Sequence, residues 1–552
     1  MRIAKLSVVA AVFFSILTGS AHAATFYVAT SGNDANPGTL AAPFRTINKA
    51  ATRVVAGDVV EVRGGTYTGP VSISSKGTSA ARIIFRSYAG ETAIIDGTGT
   101  APDTNLVLFY NAEYVDFVGF DVRNATKIGV CGYPAKFTRV LNNKIHGSWT
   151  NGIYFGANST DLTIDGNEVY DNGQNNKNHT FPNGGWPQEL SVGNTNNATI
   201  TNNKVYRNWG EGIDFIVATG GLARGNEVFD NFSVGIYLDN AQSIVVDRNL
   251  VYNTGDTRFY RDGEPASGIG LANESYSTTK PINNLTITNN IVLKMKWGFY
   301  YGAYDLGGGL KNVTLANNTF YNNTYGALWI DADAHFNSFV ENNIFHQVGG
   351  RMMVNVAGAG VTYRSNNWYG GSAGAATGAG DVIGDPQFVN PGGFRAEDYK
   401  LLGGSRAIEA GIDLLSIAST DYFGNSRSLG VDHGAHEYSL AHASTESQVD
   451  AQAPTVPDRL LAASTSSTLV DVRWRAATDN IGVKSYVIYR NGVRVGNVTD
   501  TDYVDRWVSP STSYSYQIAA MDAAGNISAK SAPLNVTTPA ATTASRSRSV
   551  RH

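Results

Sequence analysis

The chain is poor in cysteine, in charge and in long apolar runs. A single cysteine, Cys131, among 552 residues excludes an intramolecular disulfide framework. No Cys/His ligand cluster accompanies it in sequence, so the thiol reads as a packing group. Charged residues make up 16 % of the chain and the net charge is −4, which leaves no basic footprint for nucleic acid. The apolar run Leu6–Leu17 is too short to span a bilayer, and no later segment reaches that length. With Arg2 and Lys5 before it and Ala21-His22-Ala23 after it, the run reads as a secretory signal over residues 1–23. The mature protein is expected to begin near Ala24 as an exported monomer, periplasmic or extracellular, with no membrane span.

What the chain does contain is glycine, aromatic residues and asparagine. The 60 glycines and 11 % aromatic content describe a turn-rich, lightly charged β protein rather than a disordered one. At this length at least two folded units are expected.

Asparagine recurs in one local context at Asn143, Asn167, Asn203, Asn226, Asn249, Asn290, Asn318, Asn343 and Asn367. Most copies read Asn, any residue, an apolar residue, then Tyr, Phe or His, as in Asn167-Glu168-Val169-Tyr170. Six of the eight intervals fall between 23 and 28 residues, the period of one coil of a right-handed parallel β-helix. Asn suits the repeating corner because it tolerates the left-handed backbone, and its amide can bond to the Asn of adjacent coils. The expected fold is therefore all-β: a parallel β-helix over residues 24–439.

Phe44, Ile47, Ala50, Ala51, Val54 and Val55 lie at helical spacing and predict a short cap helix over the open end of the solenoid. Before it stand Tyr27-Val28, Ser31-Gly32-Asn33-Asp34, Pro37-Gly38-Thr39, Pro43 and Thr46-Ile47; after it come Gly57-Asp58 and Gly65-Thr66-Tyr67. This opening resembles the N-terminal region of secreted right-handed β-helix polysaccharide enzymes, including pectate lyases of polysaccharide lyase family nine. The resemblance implies the architecture across residues 24–440 and an activity on polysaccharide. The Asp-Asp pairs and the adjacent Lys-bearing motif of those lyases have no counterpart here, so their calcium site and lysine base are not carried over.

Near 384–411 the repeat fades, and Gly384-Asp385-Pro386-Gln387-Phe388-Val389 and Ser405-Arg406-Ala407-Ile408-Glu409 read as an exit cap. Residues 440–453 form a polar linker. Residues 454–539 resemble a fibronectin type III domain, with Trp474 on an early strand and Tyr514-Ser515-Tyr516-Gln517-Ile518 alternating late. The Ser/Arg-rich segment 540–552 reads as a disordered tail.

Two repeat intervals are long: 36 residues between Asn167 and Asn203, and 41 between Asn249 and Asn290. Insertions in a solenoid project as loops, often on the binding face. The first, 172–190, carries His179, Trp186 and Glu189; the second, 254–280, carries Arg258, Arg261 and Glu274. Aligning the strands after each loop makes two columns apolar throughout, so period-2 alternation points them inward. The outer positions then collect Glu189, Asp214, Tyr237, Asp239, Tyr154 and Tyr300 on one surface, with Glu211 at the corner entering the strand of Asp214. Trp149, Trp186, Trp209, Trp297 and Tyr300 fall in or near these coils, and flat rings with polar tips suit sugar stacking.

Two chemistries compete. A lyase acting on a uronate needs a cation or Arg/Lys to stabilise charge, and Ca²⁺ held by Glu189, Asp214 and Asp239 would supply it. His179, Tyr237, Arg261 and Lys296 are then candidate bases. A glycoside hydrolase instead needs two carboxylates across the bond, here Asp214 with Asp239, or Glu211 with Asp239. Uronate epimerisation uses the same proton abstraction. Trp186, Glu189, Trp209, Tyr154, Tyr300, Trp297 and Arg258 are the expected substrate contacts. A non-catalytic polysaccharide-binding protein is the reading outside enzymology.

Overall fold

A computed structural model describes residues 23–438 and 452–540, apart from 182–183, 276, 278–280, 305–307, 428–429, 481, 506–507 and 523–525. The expected signal segment, most of the linker and the tail fall outside the described residues. The chain divides into two compact units, Met1–Glu437 and Tyr438–His552.

The first unit is a solenoid of parallel strands arranged in three long sheets. Sheets I, II and III hold 15, 13 and 11 strands, and each strand pairs with its equivalents in the coils before and after it. One side of every coil packs inward. In sheet III the inward positions stack Ile153, Leu190, Ile213, Ile236 and Ile269 in register, with Phe155, Val192, Phe215, Leu238 and Leu271 beside them. All ten are buried in one continuous core.

The recurring asparagines form the predicted ladder at the corner between sheets I and II. The Oδ1 of Asn226 accepts from the Asn203 backbone N–H and from its Nδ2, both at 3.0 Å. The Nδ2 of Asn226 donates in turn to Asn249 Oδ1 at 2.9 Å and to the Ile200 carbonyl at 2.9 Å. The pattern runs from Asn143 to Asn343 and ends on Asn366, one residue before the expected Asn367. The backbone N–H of Asn366 goes to the Asp381 carboxylate at 2.9 Å.

The left-handed backbone sits one residue earlier than expected. Asn142, Gly166, Asn202, Gly225 and Asn289, each preceding a ladder residue, have φ between 54° and 67°. The ladder asparagine itself is kept for hydrogen bonding, and its predecessor makes the turn. A second, shorter ladder lines the corner between sheets II and III, where Ser148, Asn172, Asn208 and Asn231 are linked amide to backbone.

The cap helix is Ile47–Ala51, shorter than the apolar spacing suggested. Thr46 caps it, its hydroxyl accepting the Lys49 N–H at 3.1 Å. Asp58 then takes the N–H groups of Val55 and Ala24 at 2.8 and 2.7 Å, which draws the chain out of the helix and into the first coil.

The exit segment does more than cover an end. Residues 386–400 run back along the outside of sheet II, where Phe388 and Tyr399 pack on Tyr321, and Phe394 on Tyr252. Residues 407–437 cover the ladder corner, with Arg427 buried between Glu437 at 2.9 Å and Asn289 at 2.9 Å.

The second unit is an antiparallel β-sandwich of a three-stranded and a four-stranded sheet, as expected of a fibronectin type III domain. Trp474, Tyr486, Ile488, Tyr516 and Ile518 fill its core. Arg490, Asp505 and Tyr516 form a charge-assisted network, the Tyr516 hydroxyl donating to Asp505 at 2.7 Å.

Candidate functional site

Sheet III carries the site. The strands Gln188–Gly193, Glu211–Ile216 and Val234–Asp239 lie side by side, placing Ser191, Asp214 and Tyr237 in one outward column. Ile216 pairs with Asp239 in the next outward column. Asp214 and Asp239 are thus one coil and two positions apart, with Cα atoms roughly 8 Å from each other.

Glu211 enters the same strand as Asp214, and their carboxyls lie within hydrogen-bonding reach. Both are almost entirely buried, at 6 % and 1 % exposure. Burial and then the negative charges of Asp239 and Glu274 push the Glu211 carboxyl up to about 8, against an opposing hydrogen bond from Asp214 and the Arg261 charge. Burial and then the charge of Glu211 hold Asp214 well above the ordinary carboxylate range. Near neutral pH the pair therefore keeps a proton.

Loops from both edges of the sheet converge on it. The single long insertion expected at 254–280 is split in two by the strand Ser267–Ala272. Its first part brings Arg261, whose guanidinium stacks 4.5 Å from the Trp186 ring centroid. Its second part, from the opposite edge, brings Glu274, which accepts from the Tyr237 hydroxyl at 2.7 Å. Nothing local in the sequence shows that this loop changes edges midway, so Glu274 has no visible role there.

Several expected site residues stand elsewhere. Glu189 occupies the corner column that holds Gly152, Gly212 and Gly235 in neighbouring coils, and is 0 % exposed. Its side chain fills space kept open by Gly173 and Gly210. It is not a surface contact. Among the described residues no three His, Cys, Asp or Glu side chains are disposed to hold a metal ion.

His179 packs on Phe232 and Trp209 and faces the Arg258 carbonyl at 3.4 Å, which makes it a tie between the two insertions. Arg258 itself is paired with Asp256 at 2.5 Å. Trp209 is buried against Phe259, with centroids 4.5 Å apart. Tyr237, Tyr300 and Trp297 form a packed cluster with Trp329. Burial raises Tyr237 and Tyr300 far above the ordinary phenol range, so neither is a ready base. Tyr154 is half-buried and lies over Gly156 and Gly193 beside Asp214.

Residues 26–343 match the family described as "Pel9A-like, right handed beta helix region". Pectate lyase PEL9 of Emericella nidulans is 26 % identical over 330 residues, 56 % of this chain and 76 % of that protein. The structure of XylC in complex with xylose superposes with a TM-score of 0.52 at 13 % identity, over 75 % of this chain and 98 % of that one, a likeness of fold. A 91-residue segment is 50 % identical to part of an α-amylase of Niallia circulans, 16 % of this chain but 7 % of that protein. The amylase match thus concerns a small shared module and not the amylase as a whole. With more than half of its length matched, the chain belongs to the Pel9A-like right-handed β-helix family.

Proposed function

We propose that the chain is an exported polysaccharide-cleaving enzyme that hydrolyses a glycosidic bond at Glu211, Asp214 and Asp239. The observation that carries this reading is the buried Glu211–Asp214 carboxyl pair with Asp239 one coil away, in surroundings that favour the protonated form. A carboxyl that keeps its proton near neutral pH can protonate a leaving glycosidic oxygen. Asp239, in the adjoining outward column, is the second carboxylate such a reaction needs, to activate water or attack the anomeric carbon. Arg261 opposes the charge that builds on Glu211 once its proton has left. Four carboxyl groups set against one guanidinium favour a sugar that is uncharged at the point of cleavage, because a uronate there would add a further negative charge.

A second reading, β-elimination at a uronate, is favoured by membership of a family whose relatives include a pectate lyase. It requires a base for the proton beside the carboxylate, and Asp239 is then the candidate.

The test is to incubate the purified protein with neutral and acidic polysaccharides, with and without EDTA, and to follow reducing ends and absorbance near 235 nm together. Hydrolysis gives reducing ends alone. Absorbance rising with reducing ends would replace hydrolysis by elimination, and its loss in EDTA would restore a metal to the site. Absence of both signals on every polymer would overturn the enzymatic reading.

A further inference from the structure

Two outward columns of sheet III run from the carboxylates towards the N-terminal coils. One reads Asp214, Ser191, Tyr154, Cys131, Leu108 in successive coils. The other leads from Asp239 through Ile216, Gly193 and Gly156 to Tyr133 and Tyr110. From the Asp214 coil to the Leu108 coil is four steps, about 19 Å along the axis at ~4.8 Å per coil.

No position in this stretch between the carboxylates and Tyr110 carries a formal charge. At its two edges Asp103 pairs with Lys127 at 3.0 Å and Lys76 with Glu113 at 2.7 Å, and Lys136 lies beside Glu113 in the next coil. Tyr154 lies over the two glycines, its ring 5.7 Å from that of Tyr133. Tyr110 is 54 % exposed at the far end. At the edge of the same sheet, the Trp149 indole is 53 % exposed. It borders a cavity of about 510 Å³ with Pro102, Asp103, Ala125, Thr126 and Gly147. In the opposite direction the face is closed, because Tyr237, Tyr300, Trp297 and Trp329 pack on one another.

We infer that the N-terminal half of sheet III is an extended binding track for an uncharged stretch of glycan, with Trp149 and Tyr110 as outlying stacking platforms on one side of the cleavage point. This rests on the reading of Glu211, Asp214 and Asp239 as the cleaving centre. Exposed indole and phenol rings bordering a stretch without formal charge fit the apolar faces and hydroxyl rims of neutral sugars. The closed aromatic cluster makes the track one-sided, so the chain is held mainly on the N-terminal side of the scissile bond.

Binding can be tested without turnover. Asp214→Asn protein would be run through native gels containing soluble xylan, galactan, glucomannan or polygalacturonate, alone and with Trp149→Ala or Tyr110→Ala added. The track predicts retardation by at least one neutral polymer, and about a five- to tenfold loss of affinity for Trp149→Ala, the size expected of one stacked ring. Unchanged affinity in both platform variants would overturn the proposal, as would retention by polygalacturonate alone or by no polymer. A protein that binds through Trp149 yet cleaves nothing in the wild-type form would keep the track and discard the hydrolytic reading.

Discussion

Replacing Glu211 by Gln should make the solenoid more stable, and only above acidic pH. The Glu211 carboxyl is raised from 4.5 to about 8 in the folded chain. A group whose folded pKa is raised contributes stability that is fully present below its unfolded pKa and lost as pH rises through the folded one. Here the window opens near 4.5 and closes near 8. At pH 7 the unfolded chain gains by releasing a proton the folded chain keeps. That difference is about 2.5 pH units, or about 3 kcal/mol at 1.36 kcal/mol per unit. Gln keeps the shape and the neutral state but has no proton to release, so the penalty disappears. The Asp214 carboxyl shares the proton, so part of the gain will be redistributed between the two groups. Urea unfolding followed by circular dichroism at pH 4, 6, 7 and 8 reads the effect, using the transition of the larger unit. The variant should match wild type at pH 4 and pull ahead steadily to pH 8, while its activity falls. A difference that does not change with pH, or a variant less stable at pH 8, would show that Glu211 is not held protonated.

Other outcomes follow from the same contacts. Asp239→Asn should lower turnover by about 10²- to 10⁴-fold with little change in polymer binding, measured as initial rate against gel retardation. Arg261→Ala removes a positive charge that favours ionised Glu211, so the alkaline limb of the pH–rate profile should move upward; a downward shift would refute the assigned contact. Asn226→Ala leaves the Asn203 N–H and amide, the Ile200 carbonyl and the Asn249 amide oxygen each short of a partner, and should cost about 3–5 kcal/mol in the same urea experiment.

The solenoid was legible because its two repeating signals are local. An asparagine every coil and an apolar residue at every second strand position both survive in one dimension. The outward placement of Asp214 and Asp239 was legible for the same reason, since both sit on regular strands where alternation fixes the face. Alternation fails at corners. Glu189 was assigned outward by counting, yet it lies where the chain turns between sheets, and its neighbours there are glycines whose side faces the interior. The Asn366 ladder position was displaced by one for a related reason, as Asn366 and Asn367 are adjacent and only the backbone turn at Ser365, with φ 51°, decides between them. Loop contacts such as Tyr237 with Glu274 join residues 37 positions apart and leave no periodic trace.

The asparagine ladder also has a direction. Each ladder asparagine gives its backbone N–H and one amide N–H to the following coil and turns its oxygen to the preceding one, so these contacts all run one way along the axis, while the second amide N–H turns back to a backbone carbonyl. The run ends at Asn366, whose amide turns to the Val340 and Arg364 carbonyls and whose backbone N–H goes to the Asp381 carboxylate. Asp381 is in effect the terminator of a one-way polymer. Any coil inserted into the stack inherits the polarity without penalty, whereas a stack cut short after any internal asparagine leaves N–H donors with no acceptor. Lengthening such a protein by whole coils is therefore a mild change, and moving its end requires carrying the acid along.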